Sequence, residues 1–277
     1  MSASSSEVRR LSLTERVFLH LWCYPPPPAP FEPRDEYESK MPPMQANPLG
    51  RLRRVFGARF EQAVRDKVVV DVGCGAGAQV IGAVQAGGKL GVGIDKVDIS
   101  IRIAIANAAE QGVADRVRFT TDPVSTFGTA WADVAVSQNS FEHFRDPGEI
   151  LRQVYEALKP GGTFFVTFGP TWWHPYGVHH MFMIRMPWAH CLFAERTILR
   201  VRQLYRPDKP MTWPEVSLNR ISVRRFLELV RSTGFTLDEL ILEPIGPLPR
   251  WLVKLAMFRE WTTTATSVIL TKPGSGA

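Results

Sequence analysis

The sequence predicts an α/β fold: a doubly wound, mostly parallel seven-stranded sheet with an N-terminal arm and an inserted cap after the fifth strand. Three observations carry this. β-Branched runs alternate with helical segments from residue 51 onward. The first run, 67–72, leads directly into a glycine-rich turn. Regularity then lapses over 170–220 before a last helix and two strands. Strands separated by helices need crossover connections, which are right-handed in parallel sheets.

Each element has its own signal. A helix is predicted over 13–24 with Thr14 as N-cap. The stiff run Pro25, Pro26, Pro27, Pro28 follows, and further prolines keep residues 1–50 irregular. This Pro-rich arm either closes over the main domain as a lid or remains a disordered tail. A helix is predicted over 51–65, and the strand 67–72 reads as buried on both faces. Helix 79–85 closes at Gly87-Gly88, strand 90–94 follows, and helix 99–111 closes at Gly112. Strands 117–120 and 133–137 come next. A helix with Pro147 in its first turn runs to 158, ended by Lys159-Pro160-Gly161-Gly162 before strand 163–168. Beyond the cap, helix 222–232 closes at Gly234, and strands 235–242 and 267–271 complete the sheet. The chain thus divides into an arm (1–50), a cofactor-binding core (51–170), an aromatic and histidine-rich substrate cap (171–220) and a C-terminal part of the core sheet (221–277).

With 277 residues, 45% hydrophobic and 22% charged, the chain can bury a sizeable core. Cys23, Cys74 and Cys191 form neither a disulfide framework nor metal-ligand spacing, so a reducing, cytoplasmic setting is expected. No apolar run reaches the ~18 residues of a membrane span, and MSASSSEVRR is not followed by the apolar stretch of a secretory leader. The net charge of +6 is dispersed, which permits an anionic partner without requiring one.

The most informative stretch is Val68-Val69-Val70-Asp71-Val72-Gly73-Cys74-Gly75-Ala76-Gly77. A buried strand running into glycines and then a helix brings backbone close to a ligand at the carboxyl end of the sheet. The glycines alone also satisfy a loose dinucleotide fingerprint, and a bare structural turn is a third reading. Asp71 bears on the choice: an anion before the first glycine repels a pyrophosphate and suits a cation, unless it merely caps its own turn. Asp95, ending the next strand, can accept hydrogen bonds from both hydroxyls of a ribose.

Asp71-Val72-Gly73-Cys74-Gly75-Ala76-Gly77 resembles the first motif of the class I S-adenosylmethionine-dependent methyltransferases, and Asp95 matches that family's ribose-binding acid. Thr121-Asp122-Pro123 resembles the site that meets the adenine amino group. The series Phe141-Glu142-His143-Phe144-Arg145-Asp146-Pro147 and Leu158-Lys159-Pro160-Gly161-Gly162 resembles the ubiquinone/menaquinone (type 11) subgroup. The resemblance spans roughly residues 65–170. It implies a Rossmann-like methyltransferase fold, S-adenosyl-L-methionine as cofactor, and cofactor contacts from Asp71, Gly73, Cys74, Gly75, Gly77, Asp95, Lys96, Asp122, Pro123 and Gln138.

Methyl transfer from a sulfonium is an in-line displacement, so the protein must chiefly align the reactants. A hydroxyl acceptor also needs a base, and histidine suits neutral pH. The candidates are His143, after the fourth strand, and His174, His179 and His180, just past the fifth. The alternative is that these histidines bond one another and the backbone to hold the cap. Trp172, Trp173 and Tyr176 are expected to wall the substrate, or else to form a small satellite core. Neither a metalloprotease-like motif nor the acidic set of catechol-type enzymes is present, so no metal is expected. Ser137-Gln138-Asn139-Ser140 departs from the motif of nucleic-acid amino-methyltransferases, and no cysteine sits in a Pro-Cys context. Nucleic acid is therefore not expected as a partner.

The expected function is methylation of a small molecule, most simply at a hydroxyl of a natural product, sugar or quinone-like compound. The alternatives are a non-catalytic cofactor-binding scaffold or a membrane-proximal lipid methyltransferase. The last arises from 248–261, which reads either as an amphipathic helix at a membrane interface or, preferentially, as an ordinary helix packed on the sheet or cap. Oligomeric state is left open by the sequence.

Overall fold

A computed structural model of the protein describes residues 11–24, 48–179, 183–205, 212 and 218–274. The proline run beginning at Pro25, and His180, lie outside the described residues. In chain order the elements are α1 (Leu13–Trp22), α2 (Gly50–Phe56), α3 (Arg59–Val64), β1 (Val68–Val72), α4 (Ala78–Gln85), β2 (Leu90–Ile94), α5 (Asp98–Glu110), β3 (Val117–Thr120), β4 (Ala132–Gln138), α6 (Pro147–Ala157) and β5 (Leu158–Phe168). The cap region holds α7 (Ala189–Leu192) and α8 (Glu195–Tyr205); then come α9 (Val223–Thr233), β6 (Thr236–Pro244), α10 (Ala256–Thr262) and β7 (Thr263–Thr271).

The seven strands form one sheet in the order β3-β2-β1-β4-β5-β7-β6. β1 to β5 pair in parallel, and β7 runs antiparallel to both β5 and β6. This is the doubly wound, mostly parallel sheet that the alternation of strands and helices predicts. Successive strand residues face opposite ways. Val70 and Val72 pack with Leu151 and Val154 of α6 and Phe226 and Val230 of α9. Val69 turns to the other face, with Leu52, Phe56, Phe60 and Val64 of α2 and α3. Asp71 shares that second face by the same alternation.

Several predicted boundaries are corrected by local physics. Ser12, not Thr14, caps α1: its hydroxyl accepts from the Glu15 N–H while the Glu15 carboxylate accepts from the Ser12 N–H, a reciprocal capping box. The predicted helix 51–65 is two helices, broken where Gly57 takes a positive φ of 61°. Residues 159–162 bulge between the pairs Ala132–Leu158 and Val134–Thr163, so the turn predicted to precede β5 is an irregularity at its start. The predicted helix 248–261 is helical only over α10 and a 3-10 turn, Leu252–Lys254, because Pro247 and Pro249 remove donors and the Leu255 backbone is extended. No residue of α10 is buried, against the packed helix that the sequence favours.

The arm and the cap share a satellite core. Phe18 of α1 is fully buried with Val178, Ile184, Ile198, Val201 and Tyr205, and its ring lies 4.5 Å from that of Phe193. Backbone bonds tie the two segments: Tyr24 N–H to Met183 O at 2.9 Å, and Arg185 N–H to Trp22 O at 2.8 Å. These contacts hold the described part of the arm against the segment 178–205.

If this satellite core holds the arm, Phe18→Ala removes about 3–5 kcal/mol of packing from it. The expected outcome is faster tryptic cleavage at Arg16, while the main thermal transition moves by less than about 2 °C. Unchanged cleavage would mean that Phe18 does not hold the arm.

Candidate active site

The strand order reverses between β1 and β4, and a crevice at the carboxyl ends of such strands is where α/β sheets take ligands. β1 delivers its chain into the turn Gly73–Gly77. The turn is pinned to β2 by the Gly73 and Cys74 N–H groups, which donate to Ile94 O at 2.8 and 3.1 Å. Two serines tie it to β4 and the loop that follows: Ser137 Oγ donates to Val72 O at 2.7 Å, and Ser140 Oγ lies 3.0 Å from Gly73 O. Gly73, at φ 79°, cannot carry a side chain, since a Cβ would stand 2.5 Å from Ser140 Oγ. Gly75, at φ 49°, is the opposite case: a Cβ there would meet no protein atom within 4 Å. The turn is closed against the protein at Gly73 and open at Gly75.

Asp95 follows β2 and holds the opening in shape. Its Oδ2 accepts from the Gly75 N–H and its Oδ1 from the Val97 N–H, both at 3.0 Å. A carboxylate has about four lone-pair sites, so acceptor capacity remains for two hydroxyls. Asp71 is different. It is 1% exposed, and neither carboxylate oxygen has a hydrogen-bond partner among protein atoms. It therefore does not cap its own turn. Burial, and then the charge of Asp95, push its carboxyl well above the ordinary carboxylate range. A buried, unpaired carboxyl beside an open glycine turn fits a ligand that brings a cationic or donor group.

The remaining predicted cofactor residues sit on the rim. Gln138 ends β4 with its Oε1 buried and without a partner. Asp122, after β3, is exposed and accepts from Thr120 Oγ1 at 2.8 Å, with Pro123 next to it. Lys96 is exposed. The Cys74 side chain is buried and would lie 3.0 Å from a Cβ on Gly93, so this residue serves the turn through its backbone and as packing.

Of the histidines, the fold brings two together. His143 ends a 3-10 turn after β4, His179 lies past β5, and their ring centroids are 5.2 Å apart, nearly perpendicular. His174 is buried, and its Nδ1 accepts from the Tyr176 N–H at 3.0 Å, closing its own turn. Tyr176 Oη donates to Arg185 O at 3.3 Å. Trp172 is held by the cap: its N–H donates to Ile221 O, its carbonyl lies 2.7 Å from His190 Nε2, and Arg220 stacks 5.1 Å from its ring centroid. Trp173 is exposed and stacks on Trp261 at 5.0 Å.

Three contributors carried no sequence signal for this site. Ser140 and Phe119 act through shape; the Phe119 ring would lie 2.8 Å from a Cβ on Gly77. Glu142 stands beside His143, buried, with Oε1 accepting from the Gly169 N–H at 3.2 Å and Oε2 lacking a partner. Desolvation by burial raises its carboxyl to about 7, against the lowering effect of its backbone bonds and of Arg51. Its neighbourhood becomes legible only once β4, β5 and residues 219–221 are folded together.

Residues 63–170 match the family described as a methyltransferase domain. The segment is a class I methyltransferase domain. Across this domain the chain is similar to the ubiquinone biosynthesis O-methyltransferase of Bordetella avium, 33% identical over 131 residues, covering 46% of this chain and 52% of that protein. The chain spans about half the length of the curated relatives it matches. Among solved structures, an S-adenosylmethionine-dependent methyltransferase described as putative, from Listeria monocytogenes, superposes with a TM-score of 0.53 at 18% identity, covering 82% of this chain and 98% of that one. The [4+2]-cyclase SpnF superposes with a TM-score of 0.52 at 18% identity, covering 81% of each chain. The methyltransferase fold is thus shared with a protein named for a different reaction.

The two buried carboxyls of this domain set a pH dependence. Each keeps its proton in the folded chain at pH values where the unfolded chain has lost it. Their contribution to stability is therefore greatest below about pH 4 and declines as pH rises, for Glu142 through about 7. Asp71→Asn and Glu142→Gln should each raise the melting temperature relative to wild type at pH 8, by about 2–4 °C per kcal/mol recovered. The gain should vanish at pH 4. Differences that do not change between the two pH values would show that these carboxyls are compensated in the fold.

Proposed function

We propose that the protein is an S-adenosylmethionine-dependent methyltransferase that methylates a hydroxyl of a small-molecule acceptor. The observation that carries this reading is the buried, unpartnered Asp71 carboxyl next to the open face of Gly75, with Asp95 beside it. A dinucleotide would bring a pyrophosphate towards that acid, which is electrostatically wrong; a sulfonium with an ammonium group is electrostatically right. S-adenosylmethionine, when bound, supplies an electrophilic methyl group on a sulfonium. An arriving cation favours ionisation of Asp71, which then provides the countercharge; Asp95 accepts from the ribose hydroxyls, and the backbone of Gly73–Gly77 admits the ligand closely. Asp122, Pro123, Lys96 and Gln138 are assigned to its rim.

The acceptor hydroxyl must lose its proton as the new O–C bond forms. The pair His143 and His179, one following β4 and the other β5 with their rings 5.2 Å apart, is assigned as the acceptor for that proton. His174 is assigned a positioning role, because its Nδ1 is engaged by the Tyr176 N–H. Trp173 is the exposed aromatic assigned to the substrate wall, while Trp172 and Tyr176 shape the cap behind it. Similarity to relatives named O-methyltransferases supports an oxygen acceptor. A natural product, sugar or quinone-like compound fits the aromatic cap, and a cytoplasmic setting fits the three unpaired cysteines.

Calorimetry should show S-adenosylmethionine or its demethylated product binding, with NAD not detectable. Asp95→Ala should weaken binding by about tenfold to a hundredfold, as for lost bonds to a charged acceptor. Gly75→Val should abolish it with the protein still folded. NAD binding in place of S-adenosylmethionine would overturn the proposal. Tight binding with no turnover on a panel of phenolic, sugar and quinol acceptors would favour a scaffold, or another reaction on this fold.

The base is tested by substituting each of His143, His174, His179 and His180 with alanine. His143→Ala or His179→Ala should keep cofactor affinity and lose about 100- to 10,000-fold in turnover. The same variant should lose the acid limb of the pH–rate profile. Turnover within about threefold for all four, far short of a general-base effect, would leave alignment alone as the catalytic device.

A further inference from the structure

The segment between β6 and β7 presents an unusual face. Trp251 is 59% exposed and Met257 78% exposed, and Leu255, Phe258 and Trp261 are exposed with them. Val253 is buried and anchors the segment from below. Contiguous exposed apolar surface of this kind marks an interaction site in soluble domains.

The charges of the segment are sorted by side. Its one acidic residue, Glu260, is turned to the protein, where its two oxygens accept from the Val223 and Arg224 N–H groups at 3.1 and 2.7 Å, at the start of α9. The Arg259 guanidinium is also engaged internally, donating to Val253 O and Lys254 O, both at 3.3 Å. The neighbouring Arg224 side chain lies 3.8 Å from Glu228. What remains outward is apolar or cationic: Arg250 and Lys254, both exposed, among tryptophans, Met257 and Phe258.

We infer that this face docks on an anionic lipid bilayer. Tryptophan and phenylalanine beside arginine and lysine suit the headgroup boundary, the rings entering it and the cations meeting anionic lipid. A second copy of the chain is disfavoured by the same charges. Two-fold association sets a patch against itself and would bring Arg250 and Lys254 towards their own counterparts without an acid between them. The contact is peripheral, since among the described residues no helix is long and apolar enough to cross a membrane. Its position matters for traffic to the crevice: the Trp261 ring lies 5.0 Å from Trp173 and 6.4 Å from Trp188, at the cap loop that follows β5. The docking proposal does not depend on the proposed reaction.

Sedimentation with vesicles tests it on the full chain. The protein should partition onto phosphatidylcholine vesicles containing phosphatidylglycerol, much less onto phosphatidylcholine alone, and should be released at about 1 M salt, where the screening length is ~3 Å. Arg250→Glu with Lys254→Glu should weaken partitioning at least about 25-fold, the product of about fivefold for each lost cation. Met257→Asp with Phe258→Asp should remove it. Because these four residues are exposed, circular dichroism and the melting temperature should be unchanged. Equal binding to neutral and anionic vesicles, or variants that bind like wild type, would overturn the proposal. So would variants that instead change a monomer–dimer equilibrium in light scattering, which would make the face a protein interface.

Discussion

A carboxyl group removed from water without a hydrogen-bonding partner is the constraint around which this domain is arranged. Asp71 lies on an interior strand, in register with Gly93 of β2 and Val136 of β4, and is buried. Among the described residues neither of its oxygens has a hydrogen-bond donor. The surrounding frame is firmly built: Ile94 O takes two turn N–H groups, Asp95 takes a third from Gly75 besides that of Val97, and two serine hydroxyls cross-link the end of β1 to β4 and the loop after it. Such a frame keeps the site from collapsing around the unpaired acid. The cost of desolvating Asp71 is then available as differential affinity for a positively charged ligand.

The parts that would recognise an acceptor are made differently. Arm and cap are distant in sequence yet share a core. Phe18 and Cys23 from one, and Ile184, Ile198 and Tyr205 from the other, make one between them. Tyr205 Oη donates to Tyr24 O at 2.5 Å and closes the seam. Burial pushes the Cys23 thiol up to about 11, which keeps it neutral and inert within that seam. The loop carrying His174 and His179 lies between this satellite core and the sheet, so its histidines are positioned from two sides.

Legibility in the sequence tracked the range of the interactions involved. The alternating strands and helices, the glycine turn and the acid after β2 are local patterns, and the structure places most of them within one or two residues, although β5 begins at Leu158 and β7 at Thr263, four or five residues earlier than predicted. Caps of similar chemistry are harder to separate. Ser12 outcompetes Thr14 because Glu15 can reciprocate only at a spacing of three. The helix expected over 248–261 failed on its own prolines. His143 and His179 stand 36 positions apart and meet only because β4 and β5 are adjacent in the sheet. The bond of Glu142 to Gly169 and that of His174 to Tyr176 depend on how the loops after β4 and β5 fold, and neither is legible from the residues alone.

Phe119 stands on the edge of the sheet, yet its ring fills the space that two missing side chains would take, lying 2.8 Å from a Cβ built on Gly77 and 2.5 Å from one on Gly93. The three positions are one shared volume divided among residues far apart in the chain. A larger residue at 77 or 93 becomes admissible only after the ring at 119 has shrunk, and a smaller residue at 119 leaves a void beneath the turn until a glycine has grown. Neutral drift among relatives should therefore move through these positions in a fixed order of steps, with the ring lost first.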